Sequence, residues 1–594
     1  MAPVTDLPAS KFIRFLSSYG GDEENLSLFD EHVMGVAKRY KITQFELESQ
    51  FADSIAGDLR GCAPTSILLA GDAGDGKSNH LRKVWVKLGG DLNAWLQDGD
   101  KTLDITLDDG KTRSIRFIKD LSATQCDFEA LWRDTIESEH DSGKSVVIAC
   151  NQGQILSQLR RIEQTIEGVE TFADKLEDIF FKEDSEKSIG HIKIYDLSRQ
   201  SQADRLEELI RTVAMHSGWD GCTAGSCSCL SKCPIRKNLS LLWDREKNQK
   251  TKVTDQLCNI LKIEGYDKCH FSIRDLFLLV SNAILGCSGQ KKLANCKTVQ
   301  KILDKNETIS KDLEIDLYEN ILGKNLNIRT RSKKVIFKYL SNLEIGEHDD
   351  PVCDRFIMSR KDDAKAGFSD YKHYFSDLNE PAEMSEKRND WLKRARRRLF
   401  FNEPTNNKVW ALTAYKHIQD FLNMRNEAIT YQQVDQRILN GLSRIMSGSA
   451  IHDGKDEIVL TTNGAEASVP VGNLIVATIK ANYDDDDSRV KIEIDNTSSD
   501  AVPDLVFRAM RPLDEMTEIR FPITPRRYEF LACLAEGKIP TGFSSQCQGD
   551  FYDLKTLLVR AFEKDTKRDS KRVRLTLSYS TRHKTVQINI PQES

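Results

Sequence analysis

A chain of 594 residues is too long for a single hydrophobic core, and on size alone about three or four domains are expected. Hydrophobic residues at 39% beside 30% charged ones exclude an intrinsically disordered chain, which would lack the apolar surface needed to offset its ordering entropy. A formal net charge of -6 excludes attraction of nucleic acid by the molecule as a whole, so any such contact must be regional.

Residues 1–60 read as a helical segment, with apolar positions recurring every three and four residues across 26–40 and 42–59. The start of the chain lacks the features of an export signal, and the most apolar helical run, 276–286, is too short to cross a bilayer. Fourteen scattered cysteines then point to reduced thiols in a cytoplasmic protein with no membrane partner.

Residues 61–217 are expected to form the central α/β core. An apolar strand, 66–70, runs into Gly71, Asp72, Ala73, Gly74, Asp75, Gly76, Lys77 and Ser78, which fits G-x-x-x-x-G-K-[ST] and opens a helix. Glycines at this spacing let backbone N–H groups curl around phosphates, the lysine reaches the β and γ phosphates, and the hydroxyl ligates Mg²⁺. The motif therefore predicts a nucleoside triphosphate, ATP, with Mg²⁺. A polar insert follows at about 88–113, where Asp109-Gly110 between strand-like runs predicts a hairpin outside the core. Three more apolar strands, within 114–122, 145–153 and 191–200, alternate with helical patterns, as in a parallel sheet covered on both faces.

Hydrolysis needs a carboxylate at a strand end and a group that positions water. Asp120 is the candidate Mg²⁺ carboxylate, with a helix cap or turn as the alternative. Leu121 stands where a catalytic glutamate would follow, so no base is adjacent. Asn151, at the tip of its strand, is the candidate for orienting water against the γ phosphate, and again a helix cap is the alternative. A different strand count would instead put Asp196 at that sensing position. Arg274, near the start of a later helix, matches the lid arginine with which AAA-like ATPases sense the γ phosphate; a surface arginine beside Asp275 is the plainer reading.

Residues 218–245 form a cysteine-rich insert. Cys222, Cys227, Cys229 and Cys233 could close a structural Zn²⁺ site, since soft thiolates suit that ion. Their spacing is not the paired C-x-x-C, so His216, Cys258 or Cys269 are substitute ligands, and free thiols are the alternative. A helical lid is expected over 246–345 and a helical basic region over 346–454. There Lys387, Arg388, Lys393, Arg394, Arg396, Arg397 and Arg398 crowd a helical stretch with Trp391, Leu392, Ala395 and Leu399 as its buried stripe. Such a helix either neutralises DNA phosphates or pairs with acidic neighbours. From 455 to 594 the texture is that of a separate α+β domain. Strands are expected at 457–462, 473–481, 490–495, 572–579 and 585–590, with a solvated acidic loop at 484–487 and a helix within 523–540. A second basic set comprises Lys564, Lys567, Arg568, Lys571, Arg572, Arg574, Arg582 and Lys584.

Taken in order, "LLAGDAGDGKS", "KDLSA", "VVIACNQGQIL", "YDLSRQS", "CPIRKN" and "PITPRRYEFLACLAEGKIPTGFS" resemble the DptF family, the P-loop ATPase component of bacterial DNA phosphorothioation-dependent restriction systems. The resemblance implies a P-loop NTPase of AAA-like fold in anti-phage defence. It would act with DptG-like and DptH-like partners on DNA that lacks the phosphorothioate modification, bound directly or through those partners. Lys77 and Ser78 carry over as the family's nucleotide site; Asp120, Asn151 and Arg274 rest on position alone. No nuclease motif is visible, so cleavage is assigned to a partner. The missing glutamate leaves two outcomes open, an ATP-hydrolysing enzyme and a nucleotide-dependent scaffold or switch. A third is an AAA-type signalling or DNA-remodelling ATPase that oligomerises through Arg160 or Arg199 in trans.

Overall fold

A computed structural model describes residues 8–19, 30–97, 99–121, 127–139, 143–181, 187–222, 230–288, 292–304, 316–362, 381–404, 407–427, 436–448, 457–463, 473–481, 489–494, 501–510, 516–538, 544–562, 573–580 and 585–589. The chain divides into two compact units, one of Met1–Cys258 with His270–Lys338 and the other of Asn259–Cys269 with Tyr339–Ser594.

The first unit is built on six strands: β1 (Ser66–Ala70), β2 (Lys101–Thr106), β3 (Thr112–Ile118), β4 (Lys144–Cys150), β5 (Ser188–Ile189) and β6 (Ile192–Asp196). They form one mixed sheet in the order β2-β3-β4-β1-β6-β5. The four inner strands are parallel, β1 to both β4 and β6, and β3 to β4. The edges β2 and β5 are antiparallel to their neighbours. The unit's helices up to residue 285 are α1 (Pro8–Ser17), α2 (Asp30–Tyr40), α3 (Ala52–Arg60), α4 (Lys77–Lys87), α5 (Leu92–Trp95), α6 (Phe128–Glu137), α7 (Gln152–Ile162), α8 (Val169–Phe181), α9 (Gln202–Met215), α10 (Pro234–Leu242), α11 (Lys252–Tyr266), whose first turns belong here, and α12 (Ile273–Leu285), and Cys296–Asp304, Leu317–Ile321 and Ile328–Lys333 follow.

Every residue of β1 is buried, which is why "SILLA" reads as a continuous apolar run rather than an alternation. Successive side chains still point to opposite faces. Leu68 and Ala70 join Val146 and Ile148 under α6, α7 and α8, while Ile67 and Leu69 join Val147 and Ala149 under α3 and α4. Helices thus cover both faces of a central sheet, an α/β architecture. Truncating Leu68 or Leu69 to alanine at such a site costs about 2–5 kcal/mol, because the cavity adds to the lost transfer energy.

Two expectations are corrected here. The segment 88–113 does not sit outside the core: its strand β2 pairs with β3 as the edge of the sheet, and Trp95 and Ile105 are buried. The Arg113 guanidinium, also buried, donates to the carbonyls of Leu59 and Ala63, each at 2.9 Å, so the hairpin is tied to α3. Residues 42–49 are not helical despite their periodicity. Phe45 instead packs its ring against Phe12, Phe15 and Phe277, with centroids 5.9, 5.3 and 5.6 Å away.

In the second unit the helix Pro381–Asn402 buries Trp391, Leu392, Ala395 and Leu399, the expected stripe. A four-stranded sheet contains Glu457–Asn463, Asn473–Lys480, Val573–Ser580 and Thr585–Asn589; a three-stranded sheet contains Val490–Glu493, Asp504–Met510 and Met516–Pro522. The helices Pro525–Ala535 and Ser544–Phe562 accompany them. The strands Asp504–Met510 and Met516–Pro522 and the helix Ser544–Phe562 are additional to those read from the sequence. The acidic run 484–487 and all of the second basic set except Arg574 lie outside the described residues. Among the described residues no helix is long and apolar enough to cross a membrane.

Candidate functional site

All four parallel strands end on the same edge of the sheet. Ala70 is in register with both Cys150 and Asp196, so the segments leaving β1, β4 and β6 emerge side by side. Leu121 N–H reaches Ala149 O at 3.0 Å, which brings Asp120 alongside the end of β4. The chain leaves β1 towards the β2–β3 edge and leaves its neighbour β4 towards β5 and β6 on the other side, and a crevice opens at such a switch point.

Residues 71–78 fill that crevice. Gly74 and Gly76 have φ of 103° and 83°, the left-handed side of backbone space that glycine enters without strain. A Cβ on Gly74 would also lie 3.0 Å from Ser272 Oγ and 3.2 Å from Arg274 Cβ, so the start of α12 packs directly on the loop. Asp75, almost wholly buried, accepts the Asp72 N–H at 2.6 Å through one oxygen and bonds His270 Nε2 at 2.8 Å through the other. The helix α4 then begins at Lys77. Among the described residues, the backbone N–H groups of Gly74, Gly76, Lys77 and Ser78 have no protein acceptor. Unpaired donors at a helix N-terminus form an anion-binding concavity.

Lys77 Nζ sits within this loop, donating to Gly71 O at 2.9 Å, Asp72 O at 2.8 Å and Asn151 Oδ1 at 2.6 Å. Burial pulls its pKa down from the ordinary lysine value, while the fields of Asp75, Cys150, Asp120 and Asp72 oppose the shift. A phosphate would relieve that burial penalty by pairing with the ammonium. Asn151 precedes α7 but its side chain makes no cap, so the amide is given to Lys77 and not to the helix end. Cys150, fully buried, has its thiol pushed up to about 12 and stays neutral.

Asp196 is used differently. Its carboxylate accepts Ser198 N–H at 3.0 Å, Ser198 Oγ–H at 2.7 Å and Gln152 Nε2 at 2.8 Å, and pairs with Arg199 at 3.3 Å. It caps a turn, and Asn151 is the residue that meets Lys77. Asp275 is likewise committed, closing a capping box with Ser272 at the start of α12. Arg274 is left beside the loop with Nε buried and without a hydrogen-bond partner. His80, one turn along α4, donates Nδ1–H to Gly76 O at 3.0 Å; burial drives its pKa to about 4, and Nε2 has no partner. No motif in the sequence marks His270 or His80; the local signal is that His270 lies two residues before the Ser272/Asp275 box.

The other sequence candidates are dispersed. Cys222 and Cys233 are half-buried and in no disulfide, and Cys227 and Cys229 lie outside the described residues. The substitute ligands are occupied: His216 accepts Gly218 N–H at Nδ1 and donates to Thr43 O from Nε2, and Cys258 donates to Ala203 O. Cys269 belongs to the second unit, beside Arg526. Arg160 is held by Glu163, Asp174 and Glu177 at 3.4, 2.7 and 3.0 Å, and Arg199 donates to Ile179 O besides pairing with Asp196. On the basic helix, Arg396 makes a bidentate pair with Asp354 at 2.7 and 2.6 Å, and Glu347 takes Arg397 at 2.8 Å and Lys393 at 3.2 Å. Those three cations pair with acidic neighbours, whereas Lys387 and Arg388 remain exposed. No protein-family model, curated protein or solved structure matches this chain.

Proposed function

We propose that the chain is a P-loop NTPase of AAA-like kind that binds ATP with Mg²⁺ at 71–78. On its resemblance to the DptF family, we infer that it serves, with DptG-like and DptH-like partners, in cytoplasmic restriction of DNA lacking phosphorothioate. The observation that carries the nucleotide reading is the set of unpaired N–H groups of Gly74, Gly76, Lys77 and Ser78 around a lysine drawn into the same loop. The orphaned Arg274 Nε beside that loop also fits a polar ligand.

On this reading the loop amides and Lys77 hold the β and γ phosphates, and Ser78 and Asp120 hold Mg²⁺, which supplies charge neutralisation on the phosphate oxygens. Asn151, already on Lys77, orients water against the γ phosphate. Arg274 senses the same phosphate and passes its presence to α12, which packs on Gly74. A second reading, an ATP-bound scaffold with little turnover, is favoured by Leu121, a buried apolar side chain where the base would stand.

Equilibrium ATP titration and phosphate release by the full chain and Lys77→Ala, with no DNA, unmodified DNA or phosphorothioated DNA, test both. ATP retained through Lys77 with turnover raised only by unmodified DNA supports the enzyme. ATP retained without phosphate release under all three conditions selects the scaffold, and equal ATP affinity in Lys77→Ala overturns the site.

A further inference from the structure

A second cluster, far along the sequence, has the chemistry of a metal centre. In the second unit, Glu529 and Cys533 lie four residues apart on the helix Pro525–Ala535 and so share a face. His417, just ahead of the helix Ile418–Glu427, meets them: its Nδ1 is 3.0 Å from Glu529 Oε1, and Cys533 Sγ is 3.5 Å from that oxygen. One ligand atom from each residue can be chosen so that all lie within 4.8 Å of one another. Metal bonds of about 2.0–2.3 Å to nitrogen, oxygen and sulfur put the corners of a ligand tetrahedron roughly 3.3–3.6 Å apart. The sulfur–oxygen separation of 3.5 Å matches such an edge, and the nitrogen–oxygen separation of 3.0 Å is a few tenths of an ångström shorter.

The surroundings hold the three groups in place. The His417 backbone N–H donates to Glu529 Oε2 at 2.8 Å, which turns Oε1 towards the imidazole and the thiol. On the far side of the ring, Nε2 donates to Glu536 Oε1 at 2.8 Å, and Glu536 also accepts Lys538 at 2.8 Å. A histidine that offers one nitrogen to a metal characteristically gives the other N–H to a carboxylate, which fixes its tautomer and raises its basicity. Glu529 is almost wholly buried and pairs with His417 at 3.0 Å, a pairing that an ion would replace.

We propose that His417 Nδ1, the Glu529 carboxylate and the Cys533 thiolate bind a zinc ion, with Glu536 as the positioning residue and water in the fourth place. Binding forms the metal–nitrogen and metal–sulfur bonds as the Nδ1 and Sγ protons leave to solvent. The ion joins segments more than a hundred residues apart in sequence, His417 and Glu529 being separated by 112. Its function is a staple for the second unit. It is distinct from the cysteine-rich insert at 218–245, and nothing in it depends on the nucleotide site.

Co²⁺ titration of the chelator-stripped full chain tests this, with Zn²⁺ competition to set affinity. Wild type is expected to give tetrahedral cobalt bands with a thiolate charge-transfer band. Cys533→Ser loses the charge-transfer band from this site and His417→Gln loses one bound equivalent, whereas a Cys222→Ser/Cys233→Ser double variant keeps both signals. Glu536→Gln retains the equivalent at about 10–100-fold weaker affinity. Identical binding and spectra in wild type, Cys533→Ser and His417→Gln overturn the proposal. A measurement on wild type alone removes dependence on variant folding: Zn²⁺ should protect Cys533 from alkylation, read by peptide mass, and unchanged labelling overturns the site.

Discussion

Two positively charged features stand out in the sequence, Lys77 in a glycine-rich loop and the arginines of the helix Pro381–Asn402, and they meet opposite fates. Lys77 is held by two backbone carbonyls and the neutral amide of Asn151, and neighbouring N–H groups stay unpaired. Arg396 and Arg397 are buried against Asp354 and Glu347, their charges already matched. The first arrangement leaves donors for an anion that must come from outside. The second completes its electrostatics within the chain. A run of basic residues is therefore weaker grounds for a phosphate contact than one lysine whose surroundings stay unsatisfied.

The contrast predicts that Arg396→Ala acts as a stability mutation. Losing the bidentate partner leaves Asp354 uncompensated and costs about 3 kcal/mol, visible as a lower denaturation midpoint. If Arg396 instead served DNA, the midpoint would hold while DNA affinity and its salt dependence fell. Lys77→Ala should do the reverse. ATP affinity drops about a hundredfold, roughly 2.7 kcal/mol, as charge-assisted contacts to phosphate are lost, with little change in the midpoint. A large stability loss in Lys77→Ala would make its three acceptors a structural tie and dissolve the contrast.

Gly74→Ala probes how closely the loop and α12 are joined. The added Cβ meets Ser272 Oγ at 3.0 Å, Ser272 Cβ at 3.1 Å and Arg274 Cβ at 3.2 Å, in a backbone conformation that alanine resists. A loss of about 1–2 kcal/mol is expected, together with weaker ATP binding. Gly89→Ala, with φ of 96° and nothing within 4 Å, is the control for backbone strain without the clash. Equal effects in the two variants would show that the contact with α12 contributes nothing.

What the sequence disclosed follows the range of the forces involved. The loop was legible because its glycines, lysine and serine are contiguous and its strand, buried on both faces, is uniformly apolar. β2 reads as a polar insert because an edge strand exposes alternate residues: Lys101 to Thr106 pass between exposed and part-buried until Ile105. Residues 42–49 carry helical periodicity, yet Phe45 is committed to rings on α1 and α12, and such tertiary packing overrides local propensity. The same limit hid His270. It reaches Asp75 across 195 residues, and no spacing in either segment announces the pair.

That pair yields the subtlest test. Burial alone would disfavour a charged His270, but the hydrogen bond to Asp75 and the fields of Asp75 and Asp72 outweigh it, so the imidazole titrates above its ordinary 6.5. A group whose folded pKa is raised contributes stability that is fully present below the unfolded value and is lost as pH rises through the folded one. The midpoint of wild type should therefore exceed that of His270→Gln most below pH 6.5, with the gap narrowing as pH climbs past the raised pKa. A gap independent of pH would mean that the bond is made by a neutral imidazole. Because Asp75 also accepts the Asp72 N–H, losing the imidazolium weakens a tie on the carboxylate that braces the loop. ATP affinity should then fall over the same pH window, and affinity that stays flat there would separate the His270 tie from nucleotide binding.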